Sequence, residues 1–237
     1  MSVIKPSGQQ GLSILFVVLA ATFCVCLVSS NIFVPRLWQV GNLPLQRSGA
    51  VIIFPISYII NDLLTEVYGY RRAMLVIWLG FALSAFIAVA GHFVSLLPEP
   101  LSPENRETAD SFNSLFRMVP RVMLSSLLAF LLGSQINAFV MSRMKVAQKG
   151  RGFGWRAILS SVAGELTDSL IFYPLAFGGI LPVDALLGLI ATQVTVKTLY
   201  EVLVLPLTSY LSRRIKAAEG IDTYDNDISY NPFKLNR

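Results

Sequence analysis

The chain has 237 residues, of which 54% are hydrophobic types and only 14% are charged. Soluble domains carry about 25% charged residues, so this composition, with a mean hydropathy of +0.62, excludes an ordinary soluble enzyme and points to an integral membrane protein. The formal net charge of +5 comes from basic residues beside apolar runs, which suits cytoplasmic loops and not a nucleic-acid surface.

A helix that crosses a bilayer needs about 20 mostly apolar residues. Six segments qualify: 12–33, 49–68, 73–97, 119–141, 155–181 and 185–211. The expected fold class is therefore an all-α integral membrane protein, a bundle of six transmembrane helices. Residues 1–216 form the membrane domain in this reading, and 217–237 a polar cytoplasmic tail. That tail is expected to be mobile by default, although Tyr224, Tyr230 and Phe233 leave room for docking. The short polar stretch before the first segment has no small-residue cleavage pattern, and five more apolar segments follow the first. The first segment thus reads as a retained helix and not a signal peptide. Cys24 and Cys26 lie two positions apart in an apolar run, on different helix faces, so neither a disulfide nor a metal site is expected. Pro55, Pro174 and Pro206 fall inside the predicted helices, where each frees a carbonyl and invites a bend.

Orientation follows from the basic residues of the short loops. The second turn carries Arg71 and Arg72. The loop after the fourth segment carries Arg143, Lys145, Lys149, Arg151 and Arg156, and the end of the sixth carries Arg213, Arg214 and Lys216. With six helices all of these face one side, which places both termini in the cytoplasm. A faint repeat accompanies this pattern. Asn31-Ile32-Phe33-Val34 matches Asn137-Ala138-Phe139-Val140, and each is followed by an acidic pair, Asp62 with Glu66 and Glu165 with Asp168. Two inverted halves of three helices would give that pattern, a frequent transporter plan.

The polar groups inside these spans carry the chemistry. At 100° per residue, Tyr58, Asn61, Asp62, Thr65 and Glu66 fall within an arc of about 140° on the second helix. Carboxylates cost roughly 2.5–3.5 kcal/mol each at the bilayer centre, so they are expected to face a cavity or a partner. Glu66, nearer the interface, reads alternatively as a partner for the Arg71–Arg72 turn. Glu165 and Asp168 share one face of the fifth helix with Ser161 and Phe172. On the sixth, Gln193, Lys197, Tyr200 and Glu201 form a stripe. Lys197 and Glu201, four apart, either pair with each other or serve as a gate or charge balance with Gln193, Thr65 and Glu66. One ammonium cannot neutralise Asp62, Glu165, Asp168 and Glu201. Either some of these are protonated, or a donor-rich or cationic ligand balances them. Carboxylates and carboxamides beside Tyr58, Phe172, Tyr173 and Tyr200 suit a flat heterocycle rich in N–H donors. Phosphate would instead call for deep arginines. Among sequence motifs there is no nucleotide-binding glycine loop, and the single histidine, His92, cannot build a multi-histidine metal site. No cofactor is expected.

The stretches FPISYIINDLLTEVYGYRRA, GSQINAFVMSRMK, GELTDSLIFYPLAFGG and VKTLYEVLVLPLTSYLSRRIKAAEGIDTYD resemble the queuosine precursor transporter family of bacterial inner-membrane proteins. The Asn-Asp-x-x-Thr-Glu-x-Tyr-Gly block is the most specific part. The resemblance implies import of 7-cyano-7-deazaguanine and 7-aminomethyl-7-deazaguanine for salvage into the tRNA nucleoside queuosine. On that basis Asn61, Asp62, Asn137, Glu165, Asp168, Tyr58 and Phe172 are the expected substrate contacts. The expected partners are a small nucleobase-like molecule, the lipid bilayer and, as an option, a second copy of the chain. Two rival functions stay open at this point. One is a membrane-bound binding subunit served by an external ATP-driven module, and the other an intramembrane enzyme using the paired carboxylates.

Overall fold

The computed structural model describes residues 13–33, 36–39, 46–98, 102–116, 120–226 and 228–233. They form seven α-helices: α1 Ile14–Phe33, α2 Phe54–Tyr68, α3 Tyr70–Val94, α4 Pro103–Phe116, α5 Pro120–Ala147, α6 Phe153–Phe177 and α7 Val183–Glu219. A small antiparallel hairpin, β1 Leu37–Gln39 with β2 Gln46–Ser48, joins α1 to α2 and pairs Leu37 with Ser48.

Four of these helices are long and apolar enough by themselves to cross a bilayer: α1, α3, the Leu124–Ala147 part of α5, and α7. The two expected spans that fall short are the two that carry acidic pairs. The segment expected at 49–68 begins with a 3-10 turn over Gly49–Ile52, and regular helix starts only at Phe54, with a proline in its first turn. Proline is tolerated there because its missing N–H lies among the unpaired first donors of a helix. At 15 residues α2 is about 22 Å long, shorter than a hydrocarbon core of about 30 Å. α6 is long enough, but Arg156, Glu165 and Asp168 dilute its apolar run.

Other boundaries shift for visible reasons. α3 starts at Tyr70 because Gly69, at φ 85°, is all that separates it from α2. That backbone angle favours glycine. α5 and α7 run on past their apolar stretches into their basic ends. The loop expected between the third and fourth spans contains α4, whose Phe112 and Phe116 rings lie 4.6 Å apart, with Phe116 set against Gly91 of α3.

The apolar core lies among α1, α2, α3 and α5, where Phe23, Leu27, Leu64, Val67, Met74, Ile77 and Ala138 are buried. Lipid tails are as apolar as leucine, so close packing and not water exclusion holds such helices together. α5 and α6 make the most extensive helix pair. They cross at Gly133 and Gly164, where a methyl on Gly133 would stand 2.9 Å from the Gly164 carbonyl oxygen.

Where mobility is the default expectation for the tail, the described residues after α7 are laid along the ends of α2, α3 and α5. Thr223 donates its N–H to the Val67 carbonyl at 3.1 Å. Asp225 accepts from the Tyr70 N–H at 2.8 Å and from the Ser142 hydroxyl. Tyr230 packs on Tyr70 and Phe139, with centroids 5.0 and 5.1 Å away, and the Trp78 indole donates to the Pro232 carbonyl at 2.9 Å. Gly150, at φ 76°, makes room for the Tyr224 hydroxyl, which would lie 2.0 Å from a side-chain carbon there.

Candidate functional site

Two polar clusters are built on α2, one at its last turns and one nearer its start. Glu66 anchors the first and is 1% exposed. Its Oε1 accepts from Arg156 Nη2 of α6 at 2.7 Å and from Lys216 Nζ of α7 at 2.5 Å. Lys145 Nζ of α5 lies 3.9 Å from the same oxygen and donates to the Glu66 backbone carbonyl, to Asp222 at 2.5 Å and to the Thr223 carbonyl at 2.7 Å. Asp222 also meets Lys216 at 2.9 Å. Burial tends to raise the Asp222 carboxyl. Hydrogen bonds from Lys145 and Lys216, together with their charges, more than offset this and hold it below the usual carboxylate value. Four helix ends and the tail thus meet at one carboxylate. The expected pairing of Glu66 with Arg71 and Arg72 does not form. Arg72 instead lies 6.0 Å over the rings of Phe16 and Tyr68, because the partners of Glu66 come from helices packed beside it and not from the next turn.

The second cluster surrounds a cleft of about 270 Å³, counting the space at its mouth, lined by Pro55, Tyr58, Ser161, Glu165, Lys197, Tyr200 and Glu201. Lys197 forms ion pairs with Glu165 and, at 3.6 Å, with Asp168, and its ammonium lies 5.6 Å over the Tyr58 ring. The alternative in which Lys197 pairs with Glu201 inside α7 is therefore not adopted. Glu201 turns instead to Asp62 of α2. Asp62 is fully buried, and neither of its oxygens makes a hydrogen bond of normal geometry. Asn137, Ser161 and Glu201 all stand close enough to interact with it.

The crossing of α5 and α6 positions this group. A methyl on Gly164 would lie 2.9 Å from Asn137 Cβ, and one on Gly133 would lie 3.0 Å from Asp168 Cβ. Glycine at both positions lets the helices approach until Asn137 of α5 reaches the acidic face of α2. Asn61 Nδ2 donates to the Ser134 carbonyl at 3.4 Å, while the Thr65 hydroxyl turns back to the Asn61 carbonyl at 2.9 Å.

Of the residues singled out in the sequence, Tyr58, Glu165, Lys197 and Glu201 line the cleft, and Asp62 and Asn137 sit behind it. Phe172 lies further along α6, with Tyr173 and Phe177 at centroid distances of 5.3 and 6.0 Å, and does not line the cleft. Gln193, half-buried, sits one turn before Lys197. Glu66 and Thr65 belong to the other cluster or to the α2 backbone. The sequence reading missed the partnership of Glu66 with Lys145, Arg156, Lys216 and Asp222. All three basic residues counted there only as loop charge. The one available signal was Arg156, which falls on the first turn of an apolar segment.

The family model described as "Putative vitamin uptake transporter" matches residues 48–211, a stretch that contains both clusters except Lys216 and the tail. A "Probable queuosine precursor transporter" from Bacillus subtilis (strain 168) is 30% identical over 156 residues, which is 65% of this chain and 67% of that protein. No solved structure matches. Polar groups gathered inside a bundle of apolar helices, without a soluble-enzyme motif, agree with both matches, and the chain belongs to this family of membrane transporters and is not an enzyme.

Proposed function

We propose that this transporter imports the queuosine precursors 7-cyano-7-deazaguanine and 7-aminomethyl-7-deazaguanine across the inner membrane. The observation that carries this reading is the cleft between α2, α6 and α7, lined by Tyr58, Tyr200, Glu165 and Glu201, in which one lysine, Lys197, pairs with Glu165 and Asp168. A deazaguanine offers a ring N–H and an exocyclic amine side by side, and one carboxylate accepts both. In this reading Glu165 and Asp168 take that edge, Asn61, Asp62 and Asn137 hydrogen-bond around it, and Tyr58, which lines the cleft, stacks on the ring in place of the expected Phe172. Lys197 and Glu201 act as the gate, with Gln193 one turn before Lys197 in support, while Thr65 and Glu66, engaged elsewhere, take no part. The name of the Bacillus subtilis relative supports the substrate class.

The membrane plan that goes with this function has six spans. α2, with the short turn before it, and α6 join the four apolar helices, and both termini are cytoplasmic. The basic residues of the Glu66 cluster then mark the cytoplasmic end. The matching acidic pairs of α2 and α6 support two inverted halves with substrate bound between them. Movement is facilitated or coupled to a proton carried by one of the carboxylates, and a homodimer is compatible with the fold.

Purified protein alone in liposomes tests this function. Uptake of labelled base into vesicles holding no other protein is the expected result. Binding without uptake would contradict a self-sufficient transporter and favour a subunit served by an ATP-driven module. Conversion of the base would mark an enzyme.

A further inference from the structure

Lys197 divides the four carboxyl groups unequally. It pairs with Glu165 and Asp168, whereas the ion pairs among the described residues include none to Asp62 or Glu201. Asp62 is 0% exposed and Glu201 4% exposed, and they face each other from α2 and α7. Around them stand groups with unspent hydrogen-bonding capacity. Both Asp62 oxygens, Glu201 Oε1, Ser161 Oγ and both amide atoms of Asn137 lack a hydrogen bond of normal geometry. Ser161, 3% exposed, and Glu201 also line the cleft, so these two open onto the space a substrate would occupy, with Asp62 and Asn137 directly behind them.

Buried polar groups are nearly always hydrogen-bonded, and two adjacent carboxylates in a low-dielectric site repel each other strongly. Two carboxyl groups with no ion pair among the described residues, beside a hydroxyl and an amide oxygen that also accept, are complementary to a donor that brings a positive charge and several N–H groups. A primary ammonium has three donors and no acceptor. Asp62, Glu201 and Ser161 or Asn137 would take one N–H each.

We infer that Asp62 and Glu201, with Ser161 and Asn137, form a subsite for a primary ammonium group on the substrate, separate from the Lys197-neutralised pair that takes the flat ring. This inference rests on the deazaguanine reading and sharpens it. The aminomethyl base carries such an ammonium. The cyano base ends in an acceptor nitrogen that would face carboxylate oxygens. Asp62 and Glu201 thereby set the preference between the two precursors.

The test is a calorimetric titration of the purified full-length protein with each base, in sodium chloride and again in choline chloride, for the wild type, Asp62→Asn and Glu201→Gln. The wild type is expected to bind the aminomethyl base about tenfold or more tightly than the cyano base, since hydrogen bonds to charged groups are the stronger class. Either variant is expected to bring the ratio of the two affinities toward one. Binding of either base by a variant certifies that it is folded, and Glu201→Gln serves where Asp62→Asn does not fold. Equal affinities for the two bases, unchanged in both variants, would overturn the subsite while leaving the deazaguanine reading intact. That result would mean the carboxyl pair is closed by a shared proton. A sodium-dependent affinity equal for both bases and lost in the variants would overturn it in favour of an inorganic cation. Binding of neither base to the wild type would overturn the deazaguanine reading itself.

Discussion

Glu66 has three cations within reach of one buried oxygen, and Arg156 among them is 0% exposed. Taking one partner from a buried ion pair leaves the other desolvated without compensation, a loss of about 3–5 kcal/mol. Arg156→Met leaves Lys216 and Lys145 on Glu66, so it is expected to destabilise the detergent-solubilised protein by less than that, about 1–3 kcal/mol, read as a drop in the thermal unfolding midpoint. Glu66→Gln combined with Arg156→Met should lose less than the two single changes added together, because the two residues share one interaction. Additive losses would mean that the pair is not energetically coupled. Legibility in the sequence also divides at this scale. Asp62, Glu165 and Asp168 stood out because a carboxylate in an apolar run has few bland explanations. Lys145 and Arg156 did not, because a basic residue at the end of a membrane helix has a sufficient explanation in topology alone. Which acid Lys197 chooses was also hidden. Glu165, Asp168 and Glu201 are all in plausible reach by sequence, and only the packing of α6 on α7 decides.

At the scale of elements, the crossing of α5 and α6 carries the most weight for the site. Gly164→Leu would push a side chain into Asn137 and the Gly133 carbonyl, both 2.9 Å from its first carbon. Overpacking of this kind costs typically about 1–3 kcal/mol, and here it would also move Asn137 away from Asp62. Uptake is expected to fall more than the unfolding midpoint does. Unchanged uptake would mean that the spacing of the two helices does not matter to the site.

The tail is the second such element. Asp222 links Lys145 to Lys216 with a carboxyl held below its ordinary value of 3.8. A group depressed on folding stabilises the folded state at pH above its unfolded value, and that stabilisation is lost as pH falls through the lower folded value. Asp222→Asn should thus lower the unfolding midpoint at neutral pH by an amount that stays constant down to the ordinary carboxylate range and vanishes only in stronger acid. A difference that disappeared between pH 8 and pH 6 would assign the effect to another group. Hydrogen exchange should further show the Thr223 and Tyr70 amides protected, since both are bonded across the tail contact.

For the whole molecule, apolar length and loop charge made the helical membrane class readable. α1, α3 and α5 announce themselves because their apolar runs carry few polar groups, and α7 because it is long enough to keep an apolar stretch despite Lys197 and Glu201. α2 and α6 are less apolar for the reason that makes them interesting, since the polar side chains that build the cleft weaken the signal that would mark them as spans. α4 was missed because its mixed composition carries no membrane-length apolar run. Tyr224, Tyr230 and Phe233 leave docking of the tail open in the sequence, and its place could not be read there because its contacts come from residues more than 70 positions away. The transporter is thus organised around α2, with a charged lock at one end and a polar cleft toward the other.

The central claim is that this cleft receives the deazaguanine base. Its most direct test is uptake of labelled precursor by cells lacking their own importer, comparing the wild type with the combined Glu165→Gln and Asp168→Asn variant at equal membrane abundance. Uptake by the wild type and its loss in the variant is the predicted result. Uptake by the variant at the wild-type rate would contradict the claim.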